Sequence, residues 1–313
     1  SSWTQEAKIQ ASDKETLDEF GYSVSMNSDG TKVLVGAPYE DTGASGTGAA
    51  YIFAYDGSSW TQEAKIQASD KETLDEFGYS VSMNSDGTKV LVGAPYEDTG
   101  ASGTGAAYIF AYDGSSWTQE AKIQASDKET LDYFGWSVSM NSDGTRVIVG
   151  AQLEDTGGSS PGYNAGSAYI FAYDGSSWDT GTKIQASDIQ GNDRFGYSVS
   201  MNSDGTKVLV GAPYEDTGGS NAGSAYIFAY DGSSWTQEAK IQATDKESSD
   251  EFGYSVSMSS DGTKVIVGAK DEDTGGTDAG AAYIFTRDTT HHLTTDLKLQ
   301  SNTWHNLTYA YQG

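Results

Sequence analysis

Carboxylates recurring at fixed spacing are the residues of this chain with the most chemistry to offer. Two acidic loops carry them in the first of five similar segments: one holds Asp13, Asp18 and Glu19, the other Glu40 and Asp41. The same positions return as Asp70, Asp75, Glu97 and Asp98, then as Asp127, Asp132, Glu154 and Asp155. Asp188, Asp193, Glu215 and Asp216 follow, and finally Asp245, Asp250, Glu272 and Asp273. With Glu19 and its counterparts, two of which are replaced by Tyr133 and Arg194, these positions supply 23 of the 45 acidic residues. Carboxylate oxygens suit hard divalent cations, calcium first. Crowded on one face without such a cation, they would raise one another's pKa values. The competing reading is that they are solvated loop residues or caps for neighbouring backbone amides.

Other chemistries find less support. A glycosidase needs two carboxyl groups in different environments, whereas these acids recur in equivalent ones. His291, His292 and His305 lie in the tail, so the repeats hold no Ser-His-Asp arrangement. Cysteine is absent, which excludes disulfides, thiolate nucleophiles and cysteine-ligated zinc. Glycine-rich stretches such as TGASGTG lack the lysine and following helix of a phosphate-binding loop. A formal charge of -27 opposes nucleic-acid binding and anionic membranes. No apolar run approaches the ~18 residues of a membrane span. The chain opens mid-repeat at SSWTQEAK without a leader, as a piece of a longer protein would. The expectation is therefore a protein that is not an enzyme.

The elements that position the acids repeat with them. Segments starting at Trp3, Trp60, Trp117, Trp178 and Trp235 are spaced by 57, 57, 61 and 57 residues, and the extra four fall in a polar loop of the third copy. Within the first copy, Tyr22, Val24 and Met26 alternate with Ser23 and Ser25, predicting a strand near a central axis. The Asn27–Gly30 turn leads to the apolar run Val33–Ala37, covered on both faces. Tyr51, Phe53 and Tyr55 alternate with Ala50, Ile52 and Ala54 in a third strand, and Trp60–Gln67 forms an amphipathic outer strand whose charged face protects the sheet edge. The gradient from apolar to amphipathic predicts an all-β chain of four-stranded antiparallel blades, a β-propeller. Five blades result if the strand at Trp3–Gln10 closes the ring on the last; the competing arrangement is an open piece of a longer array, since Asp296–Gln300 in the tail loosely echoes Glu238–Gln242.

The ordered motifs FGYSV, VGAP, GAAYIF and a downstream Trp resemble FG-GAP repeats, in the variant found in large surface proteins, over residues 1 to about 285. The resemblance implies a propeller like that of integrin α subunits, serving adhesion or surface architecture. That family's calcium loop should sit at Asn27–Thr31, but NSDGT supplies one carboxylate on a short turn, so Asp29 reads as a turn residue. The division expected is 1–285 for the propeller and 286–313 for a tail or further module. TWHNLTYAYQG in that tail is similar to the start of a laminin-G or concanavalin-like lectin module, and Asn306 opens a glycosylation sequon. Two functions follow. One is an extracellular or cell-surface adhesion and structural module, or part of a filament, binding other proteins or copies of itself. The other is a carbohydrate-binding propeller using rim aromatics such as Trp60, with glycans as partners.

Overall fold

The computed structural model describes residues 2–155 and 163–288, all β, in five antiparallel sheets. The first blade is β1 (Ser23–Met26), β2 (Lys32–Ala37), β3 (Ala49–Tyr55) and β4 (Trp60–Ile66) in that order. The second repeats it with β5 (Ser80–Met83), β6 (Lys89–Ala94), β7 (Ala106–Tyr112) and β8 (Trp117–Ile123). The third comprises β9 (Phe134–Met140), β10 (Arg146–Ala151), β11 (Ser167–Ala172) and a shortened β12 (Thr182–Ile184). The fourth comprises β13 (Ser198–Met201), β14 (Lys207–Ala212), β15 (Ser224–Tyr230) and β16 (Trp235–Ile241). The fifth has three strands, β17 (Phe252–Met258), β18 (Lys264–Ala269) and β19 (Ala281–Thr286).

Period-two patterning decides which face meets which neighbour. Leu34, Ala50 and Ile52 of the first blade bury themselves against Val90, Val92, Tyr108 and Phe110 of the second, and each later interface repeats the scheme. The innermost strands meet edge to edge through serine. Ser23 donates its hydroxyl to the Gly78 carbonyl at 2.7 Å, and Ser25 accepts from the Met83 amide at 3.0 Å. Ser80 and Ser137 make the same bond to Gly135 and Gly196, both at 2.8 Å. This contact explains the glycine of the VGA motif, because a Cβ on Gly36 would lie 2.0 Å from the Gly78 carbonyl oxygen.

One expectation fails. Trp3–Gln10 forms no strand, and among the described residues the fifth sheet has three members. The apolar surfaces at the two ends agree with this. Ile266 and Ile284 on the outward face of the fifth blade are 43% and 72% exposed, and Val24 and Met26 of the first blade 70% and 57%. These faces of the fifth and first blades are thus not buried against each other, as a closed ring would bury them.

The inter-blade contact yields a contrast between two glycines of the same VGA motif. A Cβ on Gly93 would meet the Gly135 carbonyl oxygen at 2.1 Å, whereas on Gly268 it would meet only the movable Ser255 hydroxyl, at 2.4 Å. Gly93→Ala is expected to destabilise by about 1–3 kcal/mol and Gly268→Ala by clearly less in equilibrium denaturation. Equal losses would show that the glycine serves the strand and not the interface.

Candidate functional site

The two acidic loops do meet, as the spacing of the repeats requires. A lysine of the outer strand bridges them: Lys65 Nζ donates to Asp13 at 2.7 Å and to Glu40 at 2.6 Å. Lys122 joins Asp70 to Glu97, Lys183 joins Asp127 to Glu154, and Lys240 joins Asp188 to Glu215. The tyrosine hydroxyl of the third strand also donates to the aspartate, as in Tyr51 to Asp13 at 3.1 Å and Tyr108 to Asp70 at 3.0 Å. Gln67 and Gln124 donate to the second oxygens of Glu40 and Glu97, both at 3.0 Å.

The remaining acids close their own loops. Asp75, Asp132, Asp193 and Asp250 accept the amides of Glu72, Glu129, Gln190 and Glu247 at 2.5–2.7 Å, and Asp18 accepts that of Glu15. Asp41, Asp98, Asp155, Asp216 and Asp273 accept amides farther along the second loop, such as Gly46 for Asp41 at 2.7 Å. Among the described residues no three or more acidic or histidine side chains gather as a metal ion would require. In the first four blades the ammonium group of a lysine lies between the two loop acids and supplies positive charge to the pair. Asp29 acts as the turn residue foreseen, accepting the Thr31 amide and hydroxyl at 2.9 and 2.6 Å.

Burial perturbs the caps strongly. Asp75, Asp132 and Asp193 are each pushed up to about 7, first by burial and then by neighbouring acids such as Glu97 and Glu154. Asp75 Oδ1 has no hydrogen-bond partner.

An aromatic stair at the inner strands was not singled out from sequence. The residue after each Phe-Gly pair is Tyr22, Tyr79, Trp136, Tyr197 or Tyr254, and successive rings stand 5.0, 4.6, 5.9 and 4.9 Å apart. The signal was present as FGY or FGW in all five copies, but it reads there as a buried strand position. Tyr96 and Tyr214 extend the stair, 6.4 Å from Tyr79 and 6.3 Å from Tyr197. Its two halves differ in charge. Arg194 lies over the Tyr214 ring at 4.5 Å, and Lys270 lies over Tyr254 at 4.6 Å while pairing with Glu251 at 2.7 Å. In the first two blades Glu19 and Glu76 occupy the position of Arg194. Glu76 is pushed up to about 7 by burial and by Glu19, and its Oε2 is without a partner.

A third feature lies at the rim of the third blade. There WDTGTKI replaces WTQEAKI, β12 shortens, and a cavity of about 470 Å³ opens beside Trp178, Tyr173, Phe171, Asp179 and Ser126. The rim tryptophans themselves are half-buried structural residues. Trp117 donates its indole N–H to Glu63 at 2.6 Å and Trp178 to Glu120 at 2.8 Å. His291, His292, His305, the sequon at Asn306 and the lectin-like tail lie outside the described residues.

Comparison with known proteins identifies this architecture. The FG-GAP repeat family matches residues 3–53, 60–110, 117–171, 178–228 and 235–285. The chain belongs to the FG-GAP repeat family. Among curated relatives it is 36% identical to integrin alpha-6 of Gallus gallus over 138 residues, 40% of this chain and 12% of that protein. It is 32% identical to integrin alpha-PS3 of Drosophila melanogaster over 209 residues, 59% of this chain and 17% of that protein. The chain thus spans less than a fifth of either relative. Among solved structures, a putative 6-phosphogluconolactonase from Bacteroides uniformis superposes with a TM-score of 0.52 at 12% identity, covering 86% of this chain and 68% of that one. That likeness concerns the fold alone. The expectation that the chain is not an enzyme is corrected to this extent: the same fold occurs in a protein described as one, so the fold does not exclude catalysis.

The buried aspartates set a pH dependence. Their folded pKa values are raised above the unfolded carboxyl value, so folding favours the neutral form, and stability falls as pH rises from about 4 to about 7 and levels off above. The melting temperature should therefore decline between pH 5 and pH 8, and Asp75→Asn/Asp132→Asn/Asp193→Asn should shrink that decline, because asparagine retains the amide cap. An unchanged slope in the triple variant would refute the assignment.

Proposed function

We propose that this chain is an adhesion and assembly module of a surface-exposed or extracellular protein, engaging protein partners through the aromatic stair. The stair carries the reading: five aromatic side chains in tilted succession, with hydroxyl or indole tips, are the composition of protein-binding hot spots. Its sequence kinship to integrin alpha chains supports the same class of role. The acid-flanked half at Glu19 and Glu76 favours partners presenting basic side chains, since the other half already holds Arg194 and Lys270 of its own. Among the described residues no helix is long and apolar enough to cross a membrane.

A second reading rests on the rim cavity of the third blade. Trp178 and Tyr173 with the hydroxyls and carboxylates around them offer the stacking and hydrogen-bonding surface that a saccharide uses.

Beads coated with the protein should adhere to cells or to immobilised surface proteins, and Tyr79→Ala/Trp136→Ala should weaken adhesion about tenfold or more, a loss typical of aromatic anchors. Equal adhesion by a folded double variant would sink the proposal. On a glycan array, binding that disappears when Asp179→Thr, Thr180→Gln, Gly181→Glu and Thr182→Ala restore the common outer strand would support the saccharide reading, and binding that survives would reject it.

A further inference from the structure

The fifth blade contains a vacancy whose shape and charge are defined by the four blades before it. In each of those, the outer strand brings three side chains. Its lysine bridges the two loop acids, its glutamine reaches the buried glutamate, and its tryptophan packs into the interface with the preceding blade, as Trp117, Trp178 and Trp235 do. In the fifth blade Asp245 and the buried Glu272 occupy the acid positions, and no cation pairs with either among the described residues. The tryptophan position is a cavity of about 370 Å³, lined by Ile227, Ala239, Ile241, Val265, Phe285 and Arg287. Among the described residues no strand pairs with the outer edge of β19 beside both.

We propose that this vacancy is the docking site of Leu293–Gln300, a segment of the same chain outside the described residues. Its sequence LTTDLKLQ sets Lys298 at the place of Lys65, Gln300 at that of Gln67, Asp296 at that of Glu63 and Leu293 at that of Trp60. Five residues separate Arg287 from Leu293, against four between the corresponding Tyr55 and Trp60. Lys298 would then join Asp245 to Glu272. Trp3–Gln10 matches the outer strands letter for letter, but it runs directly into Ala11, buried on the first blade, and Ser12, whose amide donates to Gln62 at 2.9 Å. That anchorage holds it beside the first blade, away from the uncovered fifth. The consequence is a chain with a completed blade at one end and an unclaimed outer strand at the other.

The cysteine-free sequence permits a direct test. The register Ile52↔Ala64 of the first blade maps onto Ile284 and Leu297, and onto Ile284 and Ala7 for the rival strand. Facing positions of antiparallel strands lie within disulfide range. Under oxidised glutathione, Ile284→Cys/Leu297→Cys should form an intrachain disulfide in most molecules, several-fold more than Ile284→Cys/Ala7→Cys. An intrachain bond in the second variant would give the site to the N-terminal strand, and a disulfide-linked dimer would give it to a second copy. Either result, or no bond in the first variant, overturns the proposal. As an independent readout, Lys298→Met should lower the melting temperature, as Lys65→Met does, and a null effect beside a clear loss for Lys65→Met would also count against it.

Discussion

The close approach of backbone to backbone between successive inner strands is the constraint on which the rest of the structure depends. A serine hydroxyl reaches the carbonyl of the next blade's glycine, and another glycine opposite has no side chain to intervene. This contact fixes the spacing of the blades, and with it the interdigitation of Leu34, Ala50 and Ile52 with Tyr108 and Phe110. Interiors are packed too densely for such spacing to vary by even a methyl group. Near-identical repeats follow naturally, since each blade must present one surface to the blade before and its complement to the blade after.

The acids belong to the same economy of contacts. Most of the loop carboxylates serve the fold itself, held by a lysine, a tyrosine hydroxyl or a backbone amide. Much of the excess of acids over bases is therefore engaged within the fold. Where the pattern is broken, the break is informative. Among the described residues Glu76 lies near Glu19 with its Oε2 unpartnered, the third blade's outer strand has Thr180 and Gly181 where the others have glutamine and glutamate, and no lysine pairs with Asp245 or Glu272. Elsewhere among the described residues the repeat satisfies its own charges.

Much of this was legible in the residues. The strand order, the serine-bearing inner strand, the buried second and third strands and the amphipathic outer strand all follow from period-two patterning and turn chemistry, and the family match rests on the same motifs. The candidate site was harder to see. Asp13 and Glu40 stand out as ligands when only oxygen count and spacing are considered, yet Lys65, which neutralises both, lies 52 residues from one and 25 from the other. The aromatic after Phe-Gly was visible five times, but its stacking on its counterpart in the next blade is a relation between repeats.

By itself the sequence determined the class of unit, its number of copies and the side chains each unit offers, because alternation, glycine turns and repetition act over a few residues. Only the tertiary structure decided which acids a lysine bridges, which aromatics meet across blades, and that Trp3–Gln10 is not a strand. Those outcomes depend on surfaces brought together by the angle between blades, and a Trp-Thr-Gln-Glu-Ala-Lys-Ile-Gln strand reads the same whether or not a sheet edge stands beside it.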